Sequence, residues 1–334
     1  MTPFISVVIP TYNRPELLRV CLDALVKQSL SVEHFEVIVV NDGSEDPTKT
    51  YLDSCIGTFP FTFQAIHLTN GGPARARNTG VQVAKGKIIV FLDDDIEPLP
   101  ECLEVHYDQH MESDTVVVVG PQTRDISRHA QEPLWIRWEH SMLEKQYQAF
   151  SDGKWAAAGP NNFYTGNASL RRDLILSVGG FNETFSRQED VEFAFRLIKI
   201  TKVTFVIELR ARAIHRPVRQ YISWFKTPST YGAMDVIRIE SGHLSNRILR
   251  EAFHHRSFLT RVVLRCVIGR PTWGQYVCSV LMHLGIFFDA TLGTFGERVG
   301  MSLLSVIYNI QYLDGASRQL NEPKQLWSTI YSKD

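Results

Sequence analysis

The sequence predicts an α/β fold built on a mostly parallel sheet flanked by helices. Residues 4–9, 35–40, 61–68 and 88–92 are short apolar segments separated by helical patterns. Strand and helix alternating in this way are typical of a doubly wound parallel sheet. Segment 88–92 has five apolar residues in succession, without glycine or proline, which predicts a strand buried on both faces.

Polar residues follow three of these strands, at 10–13, 41–44 and 93–95. Right-handed crossovers place the ends of parallel strands on one edge of the sheet, where ligands bind in open α/β folds. Three adjacent carboxylates are too costly to bury as ions, so they should face water, a cation or a ligand. The pattern predicts a nucleotide-sized site, although each turn alone also fits an ordinary strand-to-helix connection. Asn13 in addition fits the N-cap of the helix that follows.

Glycine-rich phosphate loops are missing from the expected positions. The turn after the first strand reads PTYNRP, without the G-x-G-x-x-G of a dinucleotide-binding unit, and no G-x-x-x-x-G-K-[ST] occurs. A divalent cation held by the aspartates remains as the counter-charge for a bound phosphate.

Composition narrows the class of protein. The 334 residues carry a formal net charge of −1, which does not indicate a nucleic-acid partner. The five cysteines form no C-x-x-C pair and indicate a reducing compartment. The first ten residues lack a signal-peptide pattern, and no apolar run reaches the roughly 18 residues of a spanning helix. We expect a cytoplasmic protein, and peripheral contact with the inner face of the membrane is compatible with this composition.

Four segments together resemble a known family. ISVVIPTYNR, VIVVNDGS, NGGPARARNTG and IIVFLDDDIEP, in this order, resemble the inverting glycosyltransferases of family 2, which have the GT-A fold. The resemblance extends over about residues 5–208. It implies a nucleotide-diphosphate-sugar (NDP-sugar) donor, with a UDP-sugar slightly favoured, Mn²⁺ or Mg²⁺ as cofactor, and sugar transfer with inversion at the anomeric carbon.

The resemblance also implies a donor side. Its nucleotide-binding residues would be Pro10, Thr11, Tyr12, Asn13, Asp42, Arg77, Asp93 and Asp94. Among them, Asp42 would contact the edge of the nucleobase. Arg77 would help to hold the same side of the nucleotide, and Arg75 is a weaker candidate for that role. The metal ligands would be Asp95, Asp93 and His215, although a lone histidine is more often structural.

An acceptor side is implied further along the chain. Asp190 would be the general base that deprotonates the acceptor hydroxyl, and Glu189 would orient the acceptor or be the second candidate. Acidic residues at a helix start are also explained by helix-dipole stabilisation. Gly166 and Asn167 occupy the family's acceptor-side segment, but a strand with a glycine bulge explains them equally well.

The strand–helix alternation ends near residue 217, so we predict a catalytic domain over 1–217 and a mainly helical region over 218–334. Arginines recur in that region among apolar residues: Arg238, Arg247, Arg250, Arg256, Arg261, Arg265 and Arg270. Basic amphipathic helices of this kind fit a membrane interface or acceptor-binding surface, and equally a helical cap on the sheet. They lack interleaved base-stacking aromatics, so we expect no nucleic-acid partner.

The resulting hypothesis is a metal-dependent transferase that moves one sugar to a hydroxyl of a saccharide or lipid-linked saccharide, in surface polysaccharide or glycolipid assembly. The Q-x-x-R-W motif of processive synthases is missing. Two alternatives remain, a nucleotidyltransferase that makes an NDP-sugar and a non-catalytic NDP-sugar-binding protein.

Overall fold

The computed structural model describes residues 3–155, 157–185 and 187–332. It divides into two compact units, the first of Met1–His129 and His140–Val218, the second of Ala130–Glu139 and Arg219–Asp334. The sequence-based boundary assigned Ala130–Glu139 to the first domain, but the tryptophans of this segment pack into the second unit. Trp138 Nε1 donates to Ser305 Oγ at 2.8 Å, for example.

The first unit contains a seven-stranded sheet and a three-stranded sheet. Their strands are β1 (Ile5–Thr11), β2 (Phe35–Asn41), β3 (Thr62–His67), β4 (Ile88–Leu92), β5 (Ile96–Pro98), β6 (Val116–Val119), β7 (Gln122–Thr123), β8 (Asn167–Arg171), β9 (Thr204–Ile207) and β10 (Ala213–His215). The large sheet has the order β3-β2-β1-β4-β8-β6-β9 and the small one β5-β10-β7. Only β8 runs antiparallel to its neighbours in the large sheet, so the predicted mostly parallel sheet is confirmed.

The central strands are apolar on both sides because helices cover both faces of the sheet. Val8, Ile89 and Phe91 belong to one core cluster, while Val7 and Val90 belong to the other. Successive strand residues point to opposite faces, so a strand between two cores must be apolar throughout. The helices that begin before residue 218 are α1 (Pro15–Leu25), α2 (Thr48–Ser54), α3 (Pro73–Val83), α4 (Cys102–Glu112), α5 (Leu134–Ser151), α6 (Arg172–Ser177) and α7 (Glu189–Ile200).

The described residues from 219 to 332 are mainly helical, as predicted. Their helices are α8 (Tyr221–Glu240), α9 (Arg247–His254), α10 (Phe258–Val267), α11 (Pro271–Thr291), α12 (Gly293–Gln319) and α13 (Pro323–Tyr331). Helices α8 and α12 approach closely at glycine, since a Cβ on Gly232 would lie 1.9 Å from the Tyr312 carbonyl oxygen. Within the described parts of the chain, none of the helices combines the length and the apolar character needed to cross a bilayer.

Candidate functional site

The Asp93-Asp94-Asp95 triplet follows β4, and its carboxylates point to different partners. Asp94 is buried, and its carboxylate accepts hydrogen bonds from Thr11 Oγ1 at 2.8 Å and Arg14 Nη1 at 3.1 Å. Burial raises the pKa of Asp94 to about 7, more than the Arg14 charge lowers it. The side chain assigned to the nucleotide therefore also connects the ends of β1 and β4.

Asp95 lies between a guanidinium and an imidazole. Arg14 Nη1 is 3.1 Å from Oδ2, and His215 Nε2 is 3.8 Å from Oδ1. The antiparallel pairing of β10 with β5 brings His215 opposite Ile96, the next residue along. Burial opposes ionisation, but His215 and Arg14 outweigh it and lower the pKa of Asp95. Asp95 is thus an anion whose two oxygens face two different neighbours.

Asp93 is joined to the acceptor-side acids through Arg77. The buried Arg77 guanidinium donates to Asp93 Oδ1 at 2.6 Å through Nη2, and to Glu189 Oε1 at 2.7 Å through Nη1. Arg77 and Glu189 are 112 residues apart in sequence. Burial acts to lower the pKa of Arg77, but the charges of Asp93 and Glu189 raise it well above its ordinary value. One guanidinium therefore holds together the carboxylates that follow β4 and begin α7.

Asp190 stands beside this bridge in the first turn of α7. It is partly buried, and its Oδ1 accepts a hydrogen bond from the backbone N–H of Val191 at 2.8 Å. Burial raises the pKa of Asp190 to about 7, and the charge of Glu189 raises it further while that of Arg77 lowers it. A carboxylate with a pKa near 7 is a good general base at neutral pH.

The residues around the site include backbone in the left-handed region. Gln188, immediately before α7, has φ 60°, and Asn13, immediately after β1 and the exposed Tyr12, has φ 53°. Non-glycine residues seldom adopt such angles, and they concentrate at functional sites. Among the described residues, one other non-glycine residue, Asn321, shares this conformation.

The N-cap prediction for Asn13 is wrong. Helix α1 begins at Pro15, and Arg14, the residue before it, makes no side-chain cap. Asn13 Oδ1 instead accepts from the backbone N–H of Glu45 at 2.8 Å, and its own N–H donates to Ser44 Oγ. Asn13 therefore connects the turn after β1 to the turn after β2. Because its side-chain oxygen bonds to that second turn, it does not cap the helix. Pro10 lies within β1, beside these turns.

Asp42 organises the loop after β3. Its two carboxylate oxygens accept hydrogen bonds from the backbone N–H groups of Gly71 and Gly72, both at 2.8 Å. A Cβ on Gly43 would lie 2.5 Å from the Asn70 nitrogen, so the two turns touch only because residue 43 is glycine. Each oxygen retains lone-pair capacity for another donor.

Asn167 is buried, and its hydrogen bonds lie within the protein. Its Nδ2 donates to the Ala211 carbonyl oxygen at 2.8 Å, and its Oδ1 is 3.0 Å from His106 Nε2. These contacts favour a structural role for Asn167. Gly166 lies against the aspartate triplet, since a Cβ there would come within 3.2 Å of Asp93 Oδ2.

Sequence reasoning missed Arg14, which contacts two of the three aspartates. A signal was present, because a basic residue follows one strand end and acids follow the adjacent strand β4. Among the described residues, no three side chains of His, Cys, Asp or Glu form a group that could hold a metal ion by themselves. Asp95 and His215 offer one carboxylate and one imidazole, which fits a cation whose remaining ligands are substrate phosphates.

Comparison with known proteins identifies the family. The family described as glycosyl transferase family 2 matches residues 6–178, which is more than half of the chain. The chain therefore belongs to glycosyl transferase family 2. It is 37% identical over 102 residues to the glycosyltransferase AglE of Haloferax volcanii, a match that covers 30% of this chain. The match covers 34% of that relative's length, about a third.

Solved structures share the fold. The mannosyltransferase PcManGT from Pyrobaculum calidifontis, in complex with GDP-Man and Mn²⁺, superposes with a TM-score of 0.61 at 19% identity, covering 94% of this chain and 88% of that one. S. aureus TarS 1–349 in complex with UDP-GlcNAc gives a TM-score of 0.54 at 18% identity, covering 95% and 92%. The predicted GT-A fold with a helical C-terminal region is confirmed.

Proposed function

We propose that this chain transfers a single sugar from an NDP-sugar to a hydroxyl acceptor, with inversion at the anomeric carbon. One observation carries the proposal: Arg77 holds Asp93, at the predicted donor side, and Glu189, next to the predicted base, on the same guanidinium. An inverting transfer needs a base and a leaving diphosphate on opposite sides of one sugar carbon. Carboxylates fixed 2.6 and 2.7 Å from one rigid cation are suited to that requirement.

Asp190 acts as the base in this proposal. Its carboxylate accepts the proton of the acceptor hydroxyl while the hydroxyl oxygen bonds to the anomeric carbon. The bond from that carbon to the diphosphate oxygen breaks, and the nucleoside diphosphate leaves with the electron pair. The raised pKa of Asp190, about 7, supports this role because such a carboxylate is more basic than an ordinary aspartate and is still substantially ionised at neutral pH. Glu189, bonded to Arg77, positions α7 and orients the acceptor.

Asp95 and His215 would hold a divalent cation, Mn²⁺ or Mg²⁺, and Asp93, which bonds to Arg77, is the third proposed ligand. Such an ion supplies positive charge to the diphosphate of the donor. Support comes from the proximity of the Asp95 and His215 side chains, and from PcManGT, whose structure contains GDP-Man and Mn²⁺. Arg14 contacts Asp95 as well, so the carboxylate is already facing a positive charge before any ion binds.

For the donor we propose a UDP-sugar, with a GDP-sugar as the alternative. TarS was solved with UDP-GlcNAc and PcManGT with GDP-Man, so both nucleotides occur among proteins of this fold. Tyr12, Asn13 and the loop held by Asp42 form the proposed base and ribose side. The acceptor that we propose is a saccharide or a lipid-linked saccharide.

A thermal-shift panel tests the donor site. The full chain is melted with UDP-, GDP- and dTDP-sugars, each with and without Mn²⁺. We expect one nucleotide to raise the melting temperature and Mn²⁺ to increase that rise. A chain that no nucleotide stabilises in the presence of Mn²⁺ would contradict the proposal.

Product analysis distinguishes the alternative reactions. With donor and acceptor present, the proposed transferase releases a nucleoside diphosphate, whereas a nucleotidyltransferase releases pyrophosphate from a nucleoside triphosphate. A protein that binds the donor without turnover releases neither. Asp190→Asn is the matched variant, because it should retain donor stabilisation while losing release of the diphosphate.

A further inference from the structure

The second unit leaves a line of large apolar side chains exposed along α11. Five residues, each between 41% and 61% exposed, form it: Trp273, Tyr276, Val280, Leu284 and Phe287. Their spacing of three, four, four and three residues places them on one side of the helix. The residues that α11 buries, such as Cys278 and Met282, lie on a different side. Helix α11 is therefore apolar both where it packs and where it is exposed.

Helix α10, which precedes α11 and contacts it, is exposed in the same manner. Phe258 and Leu259 are 69% and 75% exposed, and Val262 is exposed one turn later. Leu264 and Val267 are the buried residues of this helix. We call these three exposed side chains, together with the five of α11, the α10–α11 surface. Several large apolar side chains exposed on two helices in contact mark an interaction site more often than single exposed residues do.

Charge in this part of the chain is predominantly positive. Residues 241–273 contain six arginines and one acidic residue, Glu251, whereas residues 271–288 contain no charged residue. Arg256, Arg265 and Arg270 are exposed and lie just before, within and just after α10. The α10–α11 surface thus combines exposed aliphatic and aromatic side chains with nearby cations.

We propose that the α10–α11 surface binds the face of an anionic phospholipid bilayer. Apolar side chains enter the boundary between headgroups and acyl chains, and arginines beside them pair with lipid phosphates. Tryptophan and tyrosine favour this boundary because each has an apolar ring and one polar atom. Both helices lie in the interface, because neither has the character of a spanning helix.

The charge distribution disfavours a second copy of this chain as the occupant. A two-fold symmetric contact through the α10–α11 surface would bring the arginines of both copies together with one acid each to offset them. Like charges facing each other across an interface oppose association, whereas an anionic membrane neutralises them. This inference is independent of the proposed reaction, because every residue in it lies in the second unit.

Vesicle sedimentation with the full chain tests the apolar contribution. Vesicles of phosphatidylcholine alone are compared with vesicles that contain phosphatidylglycerol. The first variant is Trp273→Ser with Tyr276→Ser and Phe287→Ser, and the second is Phe258→Ser with Leu259→Ser. The control is Met111→Ser with Ile126→Ser, which removes two apolar side chains of the first unit that are 60% and 78% exposed. Circular dichroism melts verify that each variant folds.

We expect the unaltered chain and the control to bind the phosphatidylglycerol vesicles equally. Each surface variant should bind at least about tenfold more weakly, since interfacial binding scales with the buried apolar area. Arg256→Gln with Arg270→Gln should weaken binding to the anionic vesicles roughly 30-fold, because each cation near the surface contributes separately. Arg19→Gln with Arg128→Gln in the first unit is the matched charge control.

Three results would overturn the inference. In the first, the unaltered chain sediments with neither vesicle type. In the second, the surface variants sediment as well as the control. In the third, the unaltered chain is a dimer in light scattering, the surface variants are monomers, and no vesicle binds. That result assigns the surface to contact between copies of the chain.

Discussion

The candidate site has two arginine–carboxylate clusters whose arginines differ in burial. Arg77 joins Asp93 and Glu189 with its side chain 5% exposed, whereas Arg14 joins Asp94 and Asp95 with its side chain 43% exposed. A buried arginine that loses its carboxylate partners has no water to replace them. An exposed arginine is solvated by water whether or not its partners are present. The Arg77 cluster is therefore a fixed part of the site. The Arg14 guanidinium, by contrast, is open to water, so we expect a cation that binds at Asp95 to displace it.

The largest effect is expected at Asp190, which lies beside the Arg77 cluster. Asp190→Asn should lower turnover roughly 10²–10⁴-fold, the usual contribution of a general base, without loss of donor stabilisation. The rate at which nucleoside diphosphate is released measures the turnover. Asp94→Asn is the control, because Asp94 also has a pKa of about 7 but bonds to Thr11 and Arg14. A larger loss of turnover from Asp94→Asn than from Asp190→Asn would reverse the roles of the two clusters.

The second prediction concerns the two arginines directly. Arg77→Met should lower the free energy of unfolding by about 3–5 kcal/mol, because it leaves Asp93 and the buried Glu189 without their shared cation. Arg14→Met should lower it less, because water reaches the exposed Arg14 guanidinium and protonation can neutralise Asp94, whose pKa is already about 7. Urea denaturation measures both. Equal losses of unfolding free energy in the two variants would mean that the Arg77 and Arg14 clusters stabilise the fold to the same extent.

The pH dependence of turnover is the third prediction. A base must be deprotonated to act, and the pKa of Asp190 is raised to about 7. Turnover should therefore fall about tenfold for each pH unit below 7 and level off above it. An ordinary aspartate would place this fall near pH 4. The fall should persist in Asp94→Asn, and its disappearance there would assign the titration to Asp94.

The smallest expected effect belongs to the exposed cluster. Arg14→Gln should strengthen Mn²⁺ binding by up to about fivefold, because Asp95 loses a competing exposed cation. Calorimetry with Mn²⁺ and no donor measures it, and Asp95→Ala is the control expected to weaken binding. Weaker Mn²⁺ binding in Arg14→Gln would mean that Arg14 helps to shape the ion site.

Much of the fold could be predicted because local patterns determine it. The apolar runs of β1, β2 and β4 are buried on both faces, and the strand ends carry the polar residues expected there. The position of β8 could not be predicted in this way. An apolar segment looks alike in either direction, and its insertion between β4 and β6 depends on contacts between distant segments.

The candidate site was likewise predicted in part: most of its residues could be named from the sequence, but several of their contacts could not. Polar strand ends predicted that Asp42 and Asp93 lie at one edge, and the family resemblance led to Asp190. Neither identified the contact between Arg14 and Asp95, and neither could show that the Asn13 amide bonds to Glu45 instead of capping α1. Side-chain pairing across turns depends on distances that a linear pattern does not contain.

The central position of β8 has a consequence for how the chain folds during synthesis. Strand β4 is complete at Leu92, yet the partner on its far side begins at Asn167. Until that partner emerges, an apolar strand has an open edge, and such edges readily pair with other chains. Arg77 likewise lacks its partner Glu189 until that residue has been synthesised. During synthesis, β4 therefore leaves the ribosome well before β8, and we expect the growing chain to need chaperones most in that interval.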